Sequence, residues 1–472
     1  MKKIYLLFIF SVFVCSCEDT LTLTDPTQIT QDQALADGGI EGVALTMYNT
    51  LQGTGYWGAR MVVVGDVMAD NSQATFVSNR YATDFDNTPT SSIGIWGASY
   101  ETIQAANTLL RFVDESDVSD VRKAELSGEA QFLRALAYHD LVKTFAYDPG
   151  VIVDNFDAGV VLRTEPVEGA SQADFRARST VDEIYAQIIS DLQAAINNLN
   201  NDGPNFRATQ AAAQGLLARV YLHQKNFAGA ITQATNAMNS GVGDIVETDD
   251  YIAAWRGANH PEAIFELRFD AVLENVGANN SLASVTTPLF WGDLALTDDL
   301  VGLFEVDDVR TGLFFQTTVS TGSYTYQSKW TGSTGTTEFD DDGVPLVNTN
   351  TTFSDNVPII RYSEMLLIRA EAYAETNQES LAVADVNTLR AQRGVGDISS
   401  SGTALMDDIL DERRRELMFE GHRWFTLKRR GMDIPKPQGN ISTISYDNFK
   451  LLSPIPQAEV DLSPVLNQNP GY

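Results

Sequence analysis

Apolar positions recur at helical spacing over much of the chain. Residues 38–52 (GGIEGVALTMYNTLQ) read as an amphipathic helix ending near Gly53, and 61–69 (MVVVGDVMA) continue in the same manner. A long helix is expected over 93–113, where Trp96, Tyr100, Ile103 and Leu110 share a stripe of core character. Another covers 121–145, with Ala, Leu and Phe spaced closely enough for tight packing and His139 packed or capping rather than a ligand. Thr180-x-x-Glu183 before an apolar run is a capping box, since hydroxyl and carboxylate each satisfy an amide of the opening turn; its helix runs to about Leu199. Helical pairs follow at 208–223 with 226–239, and at 363–376 with 380–392, the latter closed by Gly394. In the densest stretch, 409–430, Ile409, Leu410, Leu417 and Met418 keep one face apolar. Asp411 and Glu412 stand three or four positions before Arg414 and Arg415, a spacing that supports a helix. His422 to Arg430 form a second short helix before Gly431, and the arginines read as a solvated or salt-bridged face.

Two stretches lack any period. Residues 70–92 (DNSQATFVSNRYATDFDNTPTSS) read as a long loop, which in a compact domain is usually functional or disordered. Its Phe76, Tyr81 and Phe85 either meet a ligand or pin the loop to the body. Residues 241–360 are dominated by Gly, Thr, Asn, Asp and Ser, with helical period only near 297–305. This insert reads as short strands and ordered loops packed over a helical scaffold. The expected fold is mainly α, a single domain over 31–472 built of stacked helical hairpins around that insert.

The N-terminus reads as an address. Met1-Lys2-Lys3 precedes eleven apolar residues, Ile4 to Val14, too few to span a bilayer. Val14-Cys15-Ser16-Cys17 resembles a bacterial lipobox with Cys17 as the lipidated residue. The expectation is a signal peptide over 1–16, a lipidated polar tether over 17–30, and a surface-exposed protein held on the outer membrane by lipid.

Charge and composition narrow the chemistry. With 32 basic and 63 acidic residues the net charge is −31, which disfavours nucleic acid and polyanions unless a local basic patch exists. Cys15 and Cys17 are the only cysteines, so the domain has no disulfide or cysteine metal site. No Gly-rich phosphate loop, G-x-S-x-G elbow or H-E-x-x-H appears, so no cofactor, metal or catalytic constellation is expected.

Several segments together resemble the SusD/RagB family, surface lipoproteins of the Bacteroidetes. They are ERRREL-F-EGHRW-LKRR near 412–430 (with Thr426 where the family usually has Asp), GEAQFLRALAYHDL, NVPIIRYSEMLLIRAEA, and the terminal LLSPIPQ and NQNPGY. The helical pairs also resemble tetratricopeptide units. The resemblance implies a SusD-like fold, no enzymatic activity, and a SusC-like TonB-dependent transporter as partner, onto which the lipoprotein closes after capturing oligosaccharide.

Glycan capture needs flat aromatic surfaces for sugar faces and polar side chains for hydroxyls, on exposed irregular segments. Trp291, before Gly292-Asp293, is the first candidate, or else a buried plug. Asp70, Asn71, Phe76 and Tyr81 come next, then Tyr324 and Trp330, with Arg60 a donor to hydroxyls or a partner for an acid. The bulk charge favours a neutral glucan or fructan. Peptide capture and a helical-repeat interaction scaffold remain as alternatives.

Overall fold

The computed structural model describes residues 31–472 apart from 37, 168–174, 258, 271–272, 275, 289–290, 333–337, 341–344, 347–352 and 437–442. The leader, Cys17 and the tether lie outside the described residues. Helices form the frame, and their starts follow local chemistry. The Thr180 hydroxyl accepts from the Glu183 amide at 3.2 Å, and the Glu183 carboxylate accepts from the Thr180 amide at 2.8 Å, opening Val181–Asn198. Ser119, Thr209 and Asn226 cap Asp120–Phe145, Gln210–His223 and Phe227–Met238 with their side-chain oxygens.

Asp120–Phe145 is the axis of the N-terminal half, packed between Trp96–Phe112 and Val181–Asn198. From Gly128 to Phe145 every residue except Gln131 is buried, so its polar members need partners inside. Arg134 donates to Asp191 at 2.6 Å, and Asp140 accepts from the Tyr56 hydroxyl at 2.9 Å and the Trp57 indole at 2.8 Å. The two expected hairpins form, and Tyr362–Glu375 of the second lies against Phe227–Met238 of the first. Gly215 permits a close approach here: a Cβ would stand 2.7 Å from the Ile360 side chain on the strand laid across the helix.

The insert is a set of short antiparallel pairs. Ala263–Leu267 pairs with Val357–Arg361, Phe314–Val319 with Gly322–Gln327, and Glu338–Phe339 with Pro345–Leu346. Leu294–Leu296 pairs with Ser72–Ala74, in register Ser72 to Leu296 and Ala74 to Leu294. Residues 70–92 are therefore not a bare loop; they hold this strand and the helical turn Ala82–Phe85.

Of the two readings of the arginines of Gly402–Glu416, the salt-bridged face is the one that forms, and it is buried rather than solvated. Arg413, Arg414 and Arg415 are no more than 8 % exposed, and Glu412, Glu416 and Glu420 no more than 3 %. The three glutamates and Arg415 belong to a buried ionic hub, while Arg414 pairs with Asp70 and Asp299 and Arg413 stands 3.7 Å from Glu364. Glu416 receives Arg310 at 3.0 Å, Arg361 at 2.7 Å and Arg393 at 2.9 Å; Arg361 also meets Glu262 and Glu420, and Lys329 meets Glu420 at 2.6 Å. Burial works against ionisation of Glu416, yet Arg393 and Arg361 hold its carboxyl well below the usual range. The periodicity of 409–418 identified the helix, but helical spacing cannot tell a wet charged face from one that other segments cover.

The C-terminal motif is a clasp. Asn469 donates to the Phe145 carbonyl at 3.0 Å and the Ser453 carbonyl at 2.7 Å, and the Tyr472 hydroxyl donates to the Leu452 carbonyl at 2.8 Å.

Candidate functional site

The Ser72–Ala74/Leu294–Leu296 ladder fixes where three distant segments meet. Just beyond it, the Thr75 amide donates to the Asp293 carbonyl at 2.8 Å and the Thr75 hydroxyl to the Gly292 carbonyl at 2.7 Å. From the Gly322–Gln327 strand, the Tyr326 hydroxyl donates to the Gly292 carbonyl at 3.1 Å and the Tyr324 hydroxyl to the Thr75 carbonyl at 3.4 Å. Gly292 has φ +58, and a Cβ there would stand 2.9 Å from the Pro288 backbone, so the turn presenting Trp291 needs glycine. These contacts bring Phe76, Trp291 and Tyr324 to one region, and the charges of Arg80 and Asp293 reach Tyr81 beside it.

Each aromatic is held. Phe76 is 39 % exposed with φ +60, a left-handed conformation that costs a bulky residue about 1–2 kcal/mol. Phe85 braces it edge-on, ring centroids 6.1 Å apart. The Trp291 indole N–H donates to the Asn279 side-chain oxygen at 3.1 Å, and the Arg80 guanidinium lies over the ring, 5.4 Å from its centroid. Arg80 in turn donates to the Asp293 carboxylate, to the Asn279 carbonyl, and through Nε to the Ser78 hydroxyl at 3.2 Å; Ser78 donates to Asp293. Asp293 is 3 % exposed and anchors the cluster. Such a platform loses little conformational entropy when a flat ligand face settles on it.

Arg60 borders the same cluster. Its Nε donates to the Ile93 carbonyl at 3.0 Å and its Nη2 to the Ser92 carbonyl at 2.5 Å, and Asp84 stands 3.9 Å away. Burial pushes the Tyr81 hydroxyl up from its ordinary value, while the charges of Arg60, Arg80, Asp293 and Asp84 all reach it. Tyr81 thus sits between two arginine–aspartate pairs.

Three sequence candidates are placed elsewhere. Asp70 is 1 % exposed; its carboxylate accepts from Arg423 at 2.6 and 2.7 Å and lies 3.3 Å from Arg414. Burial raises the Asp70 carboxyl, but those arginines hold it below its ordinary value. Asn71, also 1 % exposed, donates to Asp66 and accepts from Arg414 at 3.0 Å. Trp330 is 1 % exposed and donates its indole N–H to the Phe419 carbonyl at 3.1 Å. All three belong to the interior, where their polar groups are already engaged. Conversely, Arg80, Asn279 and Asp293 escaped the sequence reading. Arg80 beside Tyr81 in a polar loop, and Asp293 directly after Trp291-Gly292, were the available signals; Asn279 had none.

Comparison with known proteins finds relatives of the whole fold. A family model for the SusD family matches residues 316–472, and one described as starch-binding, associating with outer membrane, matches residues 22–222. SusD-like protein P38 of Formosa agariphila is 24 % identical over 508 residues, covering 97 % of this chain and 96 % of the relative. A SusD superfamily protein from Bacteroides vulgatus superposes with a TM-score of 0.79 at 27 % identity, over 92 % of this chain and 98 % of that one. A laminarin-binding SusD-like protein shares the fold at 21 % identity, with a TM-score of 0.73 over 92 % of this chain and 99 % of that one.

Proposed function

The chain belongs to the SusD/RagB family, and on that premise we propose that it captures oligo- or polysaccharide at the cell surface and passes it, chemically unchanged, to a SusC-like TonB-dependent transporter. The observation that carries this reading is the gathering of Trp291, Tyr324, Phe76 and Tyr81 from three distant segments into one braced cluster. Sugar rings have apolar faces and hydroxyl rims, and aromatic planes flanked by guanidinium and amide groups match both. The starch-binding description of the model over 22–222 supports the same ligand class. Lipidation of Cys17 would hold the protein on the outer membrane, with 18–30 as a tether; no helix of the described residues is long and apolar enough to cross it. Bulk charge favours a neutral glucan or fructan, and the local charge of the site decides.

The test is affinity electrophoresis of the chain from Glu18 against a polysaccharide panel, with laminarin as the first neutral probe. Retardation by one class that weakens at least tenfold in Trp291→Ala is the expected result. Retardation by none, together with saturable binding of peptides from digested protein, refutes glycan capture. Release of reducing sugar refutes the non-catalytic role.

A further inference from the structure

The two arginine–aspartate pairs beside the aromatic cluster share an orientation. The Asp84 and Asp293 side chains are 8 % and 3 % exposed, while those of Arg60 and Arg80 are 34 % and 29 % exposed. Each pair therefore turns its cationic end outward. A guanidinium has five N–H donors. Among the described residues Arg80 uses Nε, Nη1 and Nη2 once each, and Arg60 uses Nε and Nη2 once each, so both retain N–H groups for a ligand. Both are fixed by those internal bonds, so little rotamer entropy is left to lose. Beneath them, the buried Lys436 ammonium lies 5.0 Å from the Phe85 ring and feels Asp84 and Asp86. The region thus holds both signs, with guanidinium nitrogen facing solvent.

We propose that this site takes glycans bearing an anionic substituent, a carboxylate or a sulfate, held by Arg60 and Arg80 while a sugar face rests on the aromatic cluster. The inference rests on the glycan-capture reading and assigns its ligand class. It runs against the bulk charge of −31. At physiological ionic strength charges are screened beyond about 8 Å, so distant surface acids count for less than two guanidinium groups in contact. A carboxylate or sulfate can take two parallel N–H donors of a guanidinium and pair with its charge, which a neutral hydroxyl cannot, and that is where the discrimination arises.

Matched pairs isolate the charge: dextran against dextran sulfate, and methyl-esterified against de-esterified pectin, each measured by affinity electrophoresis and calorimetry on the full domain. The expected result is at least tenfold tighter binding of one anionic partner than of its neutral match, weakening between 50 mM and 500 mM NaCl. Arg60→Gln and Arg80→Gln should each weaken that binding about tenfold and flatten the salt dependence, with the fold retained at the temperature of the measurement. Should either variant unfold, Arg80→Lys, which keeps the charge without the fork, should retain part of the salt dependence. Equal or tighter binding of the neutral partners, or anionic binding indifferent to Arg60 and Arg80, overturns the inference and leaves glycan capture standing. Failure of every glycan to bind counts against both.

Discussion

Thr426→Asp should make this protein more stable. Arg413 is 6 % exposed and Thr426 5 %. The Arg413 Nε donates to the Thr426 hydroxyl at 3.2 Å, its Nη1 has no hydrogen-bond partner, and the nearest ion pair, with Glu364, is 3.7 Å long. Burial drags this guanidinium down to about 10, an under-compensated buried cation. A carboxylate at 426 would turn the bond from guanidinium to hydroxyl into an ion pair, at the loss of the hydroxyl's own bond to the His422 carbonyl at 3.1 Å. Such bonds contribute about 1.5–3 kcal/mol, offset in part by desolvation of the new carboxylate. A net gain of about 1–2 kcal/mol is expected. For 472 residues the entropy of unfolding is about 1 kcal/mol per kelvin, so the melting temperature rises by about 1–2 °C. The new carboxyl, paired with Arg413, has a folded pKa below its unfolded value. Its stabilisation is therefore present above about pH 4 and lost as pH falls through the folded value. Calorimetric melts of parent, Thr426→Asp and Thr426→Asn at pH 7 and pH 3.5 check this. An equal gain in Thr426→Asn, or no gain in Thr426→Asp at pH 7, would refute the charge argument.

Three further outcomes are expected. Burial pushes the Glu266 carboxyl up to about 7, with one oxygen unpartnered and the other 3.3 Å from the His260 amide; the raised folded value means that stability is full below about pH 4.5 and falls as pH rises through 7. Glu266→Gln should abolish that fall and exceed the parent at pH 8 by roughly 3 kcal/mol, read from urea midpoints. Arg310→Met leaves the buried Asp308 without its guanidinium and takes one partner each from Glu412 and Glu416, and should cost about 3–5 kcal/mol, whereas a loss under 1 kcal/mol in chemical denaturation would show that water reaches these acids. Trp330→Phe should lower stability by about 1–3 kcal/mol while glycan affinity stays within twofold, and a tenfold affinity loss would return Trp330 to the site.

What the sequence disclosed depended on whether the information was local. The Thr180 capping box, the two hairpins and the 121–145 helix each rest on periodicity or on residues a turn apart, and each formed within a few positions of expectation. Ser72–Ala74 was missed because Ser-Gln-Ala has no strand character of its own; its partner Leu294-Ala295-Leu296 stands over two hundred positions away and supplies the ladder. Trp291 and Trp330 both sit in a Gly- and Thr-rich insert and look alike in one dimension. Whether Arg80 or the Phe419 carbonyl waits beside the indole is decided by the fold alone. Asp70 and Asn71 failed for the same reason, since Arg414 and Arg423 lie more than three hundred positions along the chain.

The ionic hub also bears on how this chain comes to be folded. Arg310 meets Glu416 across 106 positions and Arg361 across 55, so their counter-charge is among the later residues of the chain to emerge. Asp308 and Glu262 can meet these guanidinium groups earlier, but the carboxylate that all three share arrives only with Glu416. Once Glu416 enters, its bonds close together, and no one of them can be released without exposing the rest. Contacts so far apart along the chain are entropically costly to close, so the hub is expected to form late in folding and, once formed, to resist the loss of any one member.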